Sequence, residues 1–122
     1  MRRGSLALLF ALSACGLPTG DLIVLDADAP ELSAASCEDG VFESSPWSGA
    51  PWLAYGPRDT LQIEHCLGRT PRAIQPWISF EESGAEAVLA SGDLARIVAV
   101  DETTITVKNE TSAMFFARIV AE

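Results

Sequence analysis

The chain has 122 residues, of which 48% are hydrophobic, and its 17 acidic side chains outnumber the 8 basic ones to give a net charge of −9. This length is typical of a single domain. Because nucleic acids and anionic lipid headgroups both require Lys and Arg partners, the acidic balance argues against either of them as a binding partner.

The first fourteen residues have the layout of a secretory signal peptide. Residues 1–3 include two arginines, residues 6–12 form an apolar centre, and residues 13–14 are small. The apolar run is too short for a transmembrane helix, which needs about 20 residues. We therefore predict that residues 1–14 are a signal peptide.

The end of this segment, Leu12-Ser13-Ala14-Cys15, resembles the lipobox of bacterial lipoproteins. The resemblance implies that the thiol of Cys15 receives a diacylglycerol and that the signal is cut between Ala14 and Cys15. The protein would then be held in the bacterial cell envelope by its lipid alone, and Gly16 favours the outer membrane where two membranes are present. The alternative is a buried helix with an ordinary cysteine, because Leu, Ala and Phe also form core helices.

Cleavage would remove two of the eight basic residues and none of the 17 acidic ones, which leaves a net charge of −11. Residues 15–36 mix Gly, Pro, Ser and Ala with acidic residues, so we predict that most of this stretch is a tether. Residues 22–25 are the exception, because they are apolar and β-branched enough to form a short strand. The folded domain is predicted over residues 37–122.

Two strands are predicted in the middle of the chain. In residues 60–67 apolar and polar side chains alternate, which indicates a strand with one buried face, formed by Leu61, Ile63 and His65. Residues 73–80 give a second strand, with Ile74, Ile78 and Phe80 on one face. Pro76 lies inside it and cannot donate a ladder hydrogen bond, which predicts an edge position or a bulge.

The C-terminal third continues the β pattern in residues 93–100, 103–109 and 113–120. Turn residues recur about every ten positions, as is typical of a sandwich or barrel. Residues 84–91 could instead form a short helix. The predicted fold is all-β, a small antiparallel β-sandwich of about six to eight strands.

Two cysteines, Cys37 and Cys66, remain when Cys15 is consumed by lipid, and export would place them in an oxidising compartment. A bond between them would close a loop of about 30 residues and contribute roughly 3.5 kcal/mol. The alternative is a pair of buried free thiols. A zinc site is disfavoured because His65 and Cys66 point to opposite faces of a strand, and we predict no metal and no cofactor.

His65 is the only histidine, so it is the only imidazole that could act in acid–base catalysis. The sequence contains no serine-nucleophile elbow, no zinc-protease helix motif and no glycine-rich phosphate loop. We therefore predict no catalytic residue and a structural role for His65 beside the turn that follows it.

That turn, His65-Cys66-Leu67-Gly68-Arg69-Thr70-Pro71, resembles the H-x-L-G-x-x-P stretch found between strands in small β-sandwich modules of phage tail and secreted proteins. The resemblance implies a sandwich fold and a binding role, and it assigns no catalytic residue. Physically, the glycine permits an unusual backbone angle and the proline fixes the next turn.

Residues 44–57 carry three aromatic residues, Trp47, Trp52 and Tyr55, among prolines and glycines. Aromatic side chains on loops stack on sugars or anchor partner proteins, but they also cover the open end of a small core. We assign Trp52 and Tyr55 to the core, and Trp47 is the better candidate for a contact.

These features favour a noncatalytic, lipid-anchored envelope module that binds a protein or a glycan. A structural or assembly lipoprotein of an envelope complex is the alternative. A hydrolase is less favoured, because it would need a pocket with perturbed carboxylates or with His65.

Overall fold

The structure is a computed structural model that describes residues 20–122. The predicted signal peptide (residues 1–14) and the lipobox residues Ala14 and Cys15 lie outside the described residues, and the predictions made for them stay predictions. Within residues 20–122, no helix has both the length and the apolar character that crossing a membrane requires.

The described chain forms ten strands in two sheets, with two short 3-10 turns, at Pro30–Leu32 and Gly92–Leu94. The strands are β1 (Leu22–Leu25), β2 (Ser36–Glu38), β3 (Val41–Glu43), β4 (Leu53–Tyr55), β5 (Thr60–Glu64), β6 (Ile74–Ser79), β7 (Val88–Leu89), β8 (Arg96–Val100), β9 (Thr104–Lys108) and β10 (Phe115–Ala121). The predicted all-β sandwich is confirmed. The strands are more numerous than expected because several have only two or three residues.

One sheet has four strands in the order β1-β5-β9-β8. The other has six, in the order β2-β3-β10-β6-β7, with β4 also paired to β10. Every pairing is antiparallel except that of β1 with β5, which run parallel from Leu22 opposite Thr60 to Leu25 opposite Ile63. The pairing with β5 places β1 at one edge of the four-stranded sheet.

The core lies between the two sheets and is built by strict alternation along the longer strands. The four-stranded sheet contributes Leu61 and Ile63 from β5, and Ile105 and Val107 from β9, all of them almost fully buried. The six-stranded sheet contributes alternate residues of β10, among them Ala117 and Ile119. Because strand side chains alternate between faces, the residues between these positions point outward.

The tether predicted for most of residues 15–36 is wrong for residues 26–36, which belong to the folded domain, whereas the short strand predicted at residues 22–25 is confirmed as β1. β1 pairs with β5, β2 pairs with β3, and Leu25 and Leu32 are buried in the core. The proline, serine and acidic residues of this stretch lie in the turns between those apolar positions. Residues 22–36 are therefore part of the folded domain, which does not begin at residue 37.

The predicted edge position of Pro76 is wrong, because β6 pairs with β10 on one side and with β7 on the other. The proline is tolerated because β7 is short and pairs only with Trp77 and Ile78. The Pro76 carbonyl still accepts a hydrogen bond from the Ala90 N–H at 2.8 Å. The bulge lies elsewhere, in β8 between Ile97 and Ala99.

The short helix considered for residues 84–91 does not form. Gly84 and Glu86 both have positive φ, at 83° and 54°, which breaks a right-handed helix, and Val88–Leu89 form the strand β7. Phe80, predicted to share a buried face with Ile78, lies just beyond the end of β6 and is exposed.

The disulfide between Cys37 and Cys66 is present, with Cα atoms 6.1 Å apart. Cys37 lies in β2 of the six-stranded sheet, and Cys66 follows β5 of the four-stranded sheet. The bond therefore joins the two sheets directly and ties the N-terminal strands to the rest of the core.

Candidate functional site: an aromatic surface on the six-stranded sheet

An arginine and a tryptophan lie side by side on the outer face of the six-stranded sheet. Arg118 of β10 is directly opposite Trp77 of β6 in the antiparallel register. Their neighbours along each strand, Ala117 and Ile78, point into the core. Alternation therefore turns Arg118 and Trp77 to the opposite face.

The loop between β3 and β4 places Trp47 over this pair. The guanidinium carbon of Arg118 lies 4.0 Å from the centroid of the Trp47 ring, which is a cation–π contact. The rings of Trp47 and Trp77 meet edge to face, with centroids 4.9 Å apart. We call Trp47, Trp77 and Arg118 the aromatic surface.

Arg118 is almost fully buried, yet its charge is compensated. Its Nε donates to the Ser45 carbonyl at 2.8 Å, and its Nη2 donates to the carboxylate of Glu43. A buried guanidinium without such partners would be strongly destabilising. The ion pair and the hydrogen bond therefore hold Arg118 in one position beneath Trp47.

The start of the loop is fastened to β10 at Ser44. The Ser44 N–H donates to the Ile119 carbonyl at 2.9 Å, and the Ile119 N–H donates to the Ser44 hydroxyl at 2.8 Å. Trp47 follows three residues later with 52% of its surface exposed. An indole that is half exposed but held from below is pre-organised for contact with another molecule.

The other two aromatic residues predicted for this region have a different environment. Trp52 is buried and lies beside Trp47, with ring centroids 6.0 Å apart. Tyr55 is fully buried in β4, and its hydroxyl donates to the Leu94 carbonyl at 3.0 Å. Burial, together with the negative charge of Glu110, raises the pKa of Tyr55 above its ordinary value. Trp47 alone among the three presents a large exposed ring.

A shallow cleft of about 470 Å³ begins at the residue after Trp47. It is lined by the loop Ser48–Pro51 and by Glu82 and Ser83 from the turn after β6. Two serine hydroxyls and one carboxylate therefore lie next to the aromatic surface. Such groups can donate to or accept from the hydroxyls of a ligand.

Sequence reasoning singled out Trp47 but missed Trp77 and Arg118. The signal for Trp77 was its place in β6, next to the inward-facing Ile78, since alternation turns a neighbour of a buried residue outward. The register that sets Arg118 opposite Trp77 joins strands far apart in sequence, so the pattern of one strand could not reveal it.

His65 lies at the far end of β5, away from these residues in sequence. Its Nδ1 accepts from the Leu67 N–H at 3.2 Å, so its Nε2 carries the proton and donates to the Asp101 carbonyl at 2.9 Å. Both ring nitrogens are occupied by backbone groups, and the ring is buried. This arrangement is that of a structural histidine joining β5 to the β8–β9 turn.

No group of three or more His, Cys, Asp or Glu side chains able to hold a metal ion occurs within residues 20–122. Comparisons with protein-family models, with curated proteins and with solved structures each found no match to this chain.

Proposed function

We propose that the chain is a noncatalytic, lipid-anchored module of the bacterial cell envelope that binds a glycan through the aromatic surface. The observation that carries the proposal is Trp47, a half-exposed indole held in place by the buried guanidinium of Arg118 and the edge of Trp77. Ordering an exposed ring on binding costs conformational entropy. Because the fold already holds Trp47 in one position, little of that entropy remains to be lost when a ligand binds.

The chemistry around Trp47 suits a sugar. A pyranose has an apolar face of C–H groups that can pack on an indole, and a rim of hydroxyls that need hydrogen-bond partners. The serines and the carboxylate of the adjoining cleft supply such partners beside the ring. Binding sites generally combine an apolar surface with a few polar groups in this way.

The charge of the protein narrows the class of glycan. With 17 acidic residues in the chain and a net charge of −11 after the proposed cleavage, the domain repels polyanions. The one arginine of the aromatic surface is already paired with Glu43. We therefore propose a neutral glycan in preference to an acidic one.

The location rests on the lipobox resemblance at Leu12-Ser13-Ala14-Cys15. Several acyl chains on one cysteine anchor a protein stably, whereas one holds it only reversibly. Cys15→Ala should abolish labelling by a fatty-acid probe and leave the signal uncut. Labelling that survives this substitution would refute the assignment. Membrane fractionation should place the labelled protein in the outer membrane of a two-membrane bacterium.

The binding role is tested with the full chain and with purified neutral cell-wall polysaccharide and peptidoglycan. Trp47→Ala should lower the retained fraction about tenfold or more, as expected for a central aromatic contact. Phe80→Ala is the matched control, since Phe80 is another exposed aromatic residue and lies outside the aromatic surface. Equal retention of the two variants would contradict the proposal. If crosslinking in intact cells captures a protein through Trp47 and no glycan, the surface serves a protein partner instead.

The second candidate is an assembly lipoprotein, which is favoured by the exposed aliphatic side chains of β8. A hydrolase has less support, because both ring nitrogens of His65 are already bound to backbone groups.

A further inference from the structure

The outer strand β8 exposes aliphatic side chains that a folded domain would ordinarily cover. All five of its residues are exposed, including Ile97 (38%), Val98 (53%) and Val100 (36%). In the described part of the chain, β8 pairs only with β9, so its other edge presents backbone N–H and C=O groups. An apolar strand with an open edge is a template for pairing with another strand.

The charges at the two ends of β8 are opposite. Arg96 begins the strand, and Asp101 follows its last residue. Two such strands that run antiparallel bring the arginine of each copy to the aspartate of the other. A parallel arrangement would instead place like charges together, which is destabilising.

The opposite edge of the same sheet lacks this complementarity. β1 also exposes aliphatic residues, Leu22 (64%) and Val24 (58%), but Asp21 precedes it and Asp26 follows it. Antiparallel self-pairing of β1 would therefore bring an aspartate of each copy close to an aspartate of the other at both ends of the pair. Charge thus distinguishes the two edges, although their exposed side chains are alike.

The bulge in β8 allows two copies of the strand to pair antiparallel with facing side chains on the same side of the sheet. Ile97 lies opposite Val107 and Val100 lies opposite Ile105, so both point toward the core side although they are three residues apart. Facing residues in an antiparallel pair must lie on the same side of the sheet. This condition is met when Val98 of one copy lies opposite Ala99 of the other, with a two-fold axis between them.

We propose that two copies of this chain associate along β8, antiparallel and across a two-fold axis, so that their four-stranded sheets become continuous. In this register Ile97 of each copy lies opposite Val100 of the other, and Arg96 lies opposite Asp101. Arg96 already contacts Glu110 of its own chain at 3.0 Å, but its side chain is 66% exposed, which leaves guanidinium surface open to a second copy. The association is independent of the proposed glycan binding, because β8 belongs to the other sheet.

The register is tested by disulfide capture between two differently tagged copies of the full chain in the same cells. One copy carries Ile97→Cys and the other carries Val100→Cys. Directly opposed strand residues have Cα atoms about 4.5–5.5 Å apart, which is within the range of a disulfide. An added oxidant should then give a dimer that carries both tags. The matched control, Leu22→Cys with Val24→Cys, places the thiols on the β1 edge and should give at least fivefold less dimer.

A charge variant tests the same arrangement by another route. Added to the Ile97→Cys copy and the Val100→Cys copy, Arg96→Glu sets like charges opposite each other and should lower the dimer yield about fivefold. Arg72→Glu makes the same charge change at another exposed arginine and should leave the yield unchanged. Equal capture at the β1 and β8 edges, or no dimer carrying both tags, would overturn the proposal.

Discussion

Gly84 lies directly against the indole of Trp52. A β-carbon built on Gly84 would be 2.3 Å from the Cε2 atom of Trp52, and the backbone of Gly84 has a φ of +83°. The backbone N–H of Trp52 also donates to the Glu82 carbonyl at 2.9 Å. The turn after β6 and the start of β4 are therefore built around one buried ring, and this ring lies beside Trp47.

Gly84→Ala should destabilise the domain by about 2–4 kcal/mol. The new methyl group overpacks the site against Trp52, and the left-handed backbone adds strain. Urea unfolding measures the effect. Gly68→Ala is the control, because Gly68 has a similar φ of +73° with nothing within 4 Å of its built β-carbon. Its cost should be only about 1 kcal/mol. Equal costs would mean that contact with Trp52 does not constrain position 84.

Trp52→Ala and Trp47→Ala should differ sharply in stability. Removing the buried Trp52 ring should cost about 3–5 kcal/mol, which is a large part of the total stability of a small domain. Removing the half-exposed Trp47 forfeits its contacts with Arg118 and Trp77, about 1–2 kcal/mol. Thermal melts of the two variants measure the difference. If Trp47→Ala unfolds the domain, the idea that this ring serves a ligand must be abandoned.

Tyr55 is the only tyrosine in the chain, so alkaline absorbance reports this residue alone. Burial raises its pKa, which means that the native state holds the phenol proton more tightly than the unfolded state does. The stabilisation is therefore present below the ordinary pKa of about 10 and is lost as the pH rises above it. Tyrosinate absorbance should appear together with unfolding, as followed by circular dichroism. A titration near pH 10 in the intact fold would contradict this, and Tyr55→Phe should show no absorbance step.

Replacing both Cys37 and Cys66 by serine should lower stability by roughly 3.5 kcal/mol, because the unfolded chain regains the freedom of a loop of about 30 residues. Chemical unfolding with and without reductant measures the loss. The reductant should weaken the parent protein and leave the double variant unchanged. Nonreducing peptide mapping should recover both cysteines in one linked fragment, and alkylation of both in unreduced, unfolded protein would count against the bond.

The sequence was sufficient to predict a strand and its buried face wherever apolar and polar residues alternate within that strand. The burial of Leu61 and Ile63 in β5, and of His65 just after it, follows directly from the period of two, and the C-terminal strands were predicted from their apolar residues and turns. The all-β class and the disulfide pairing also followed from the sequence. These features depend on neighbours in the chain or on simple counting.

Features that depend on distant partners could not be predicted in this way. Residues 22–36 have the composition of a linker, and only pairing with β5 and β3 makes them part of the domain. Pro76 favoured the prediction of an edge strand, because proline cannot donate a ladder hydrogen bond. The neighbouring strand β7 is short and pairs only with Trp77 and Ile78, so the missing N–H of Pro76 removes no hydrogen bond of that pairing. The aromatic surface needed Arg118 as well as Trp47, and these residues are far apart in sequence.

The pairing of β1 with β5 also limits how far the domain could lie from a membrane to which Cys15 is anchored. Because Leu22 is already paired in the sheet, at most the six residues between Cys15 and Leu22 could link the domain to a lipid on Cys15. The seven Cα–Cα steps from Cys15 to Leu22 span about 25 Å at most when fully extended. A domain with so short a linker would remain at the bilayer surface. Any partner beyond that distance would have to extend toward the membrane to bind it.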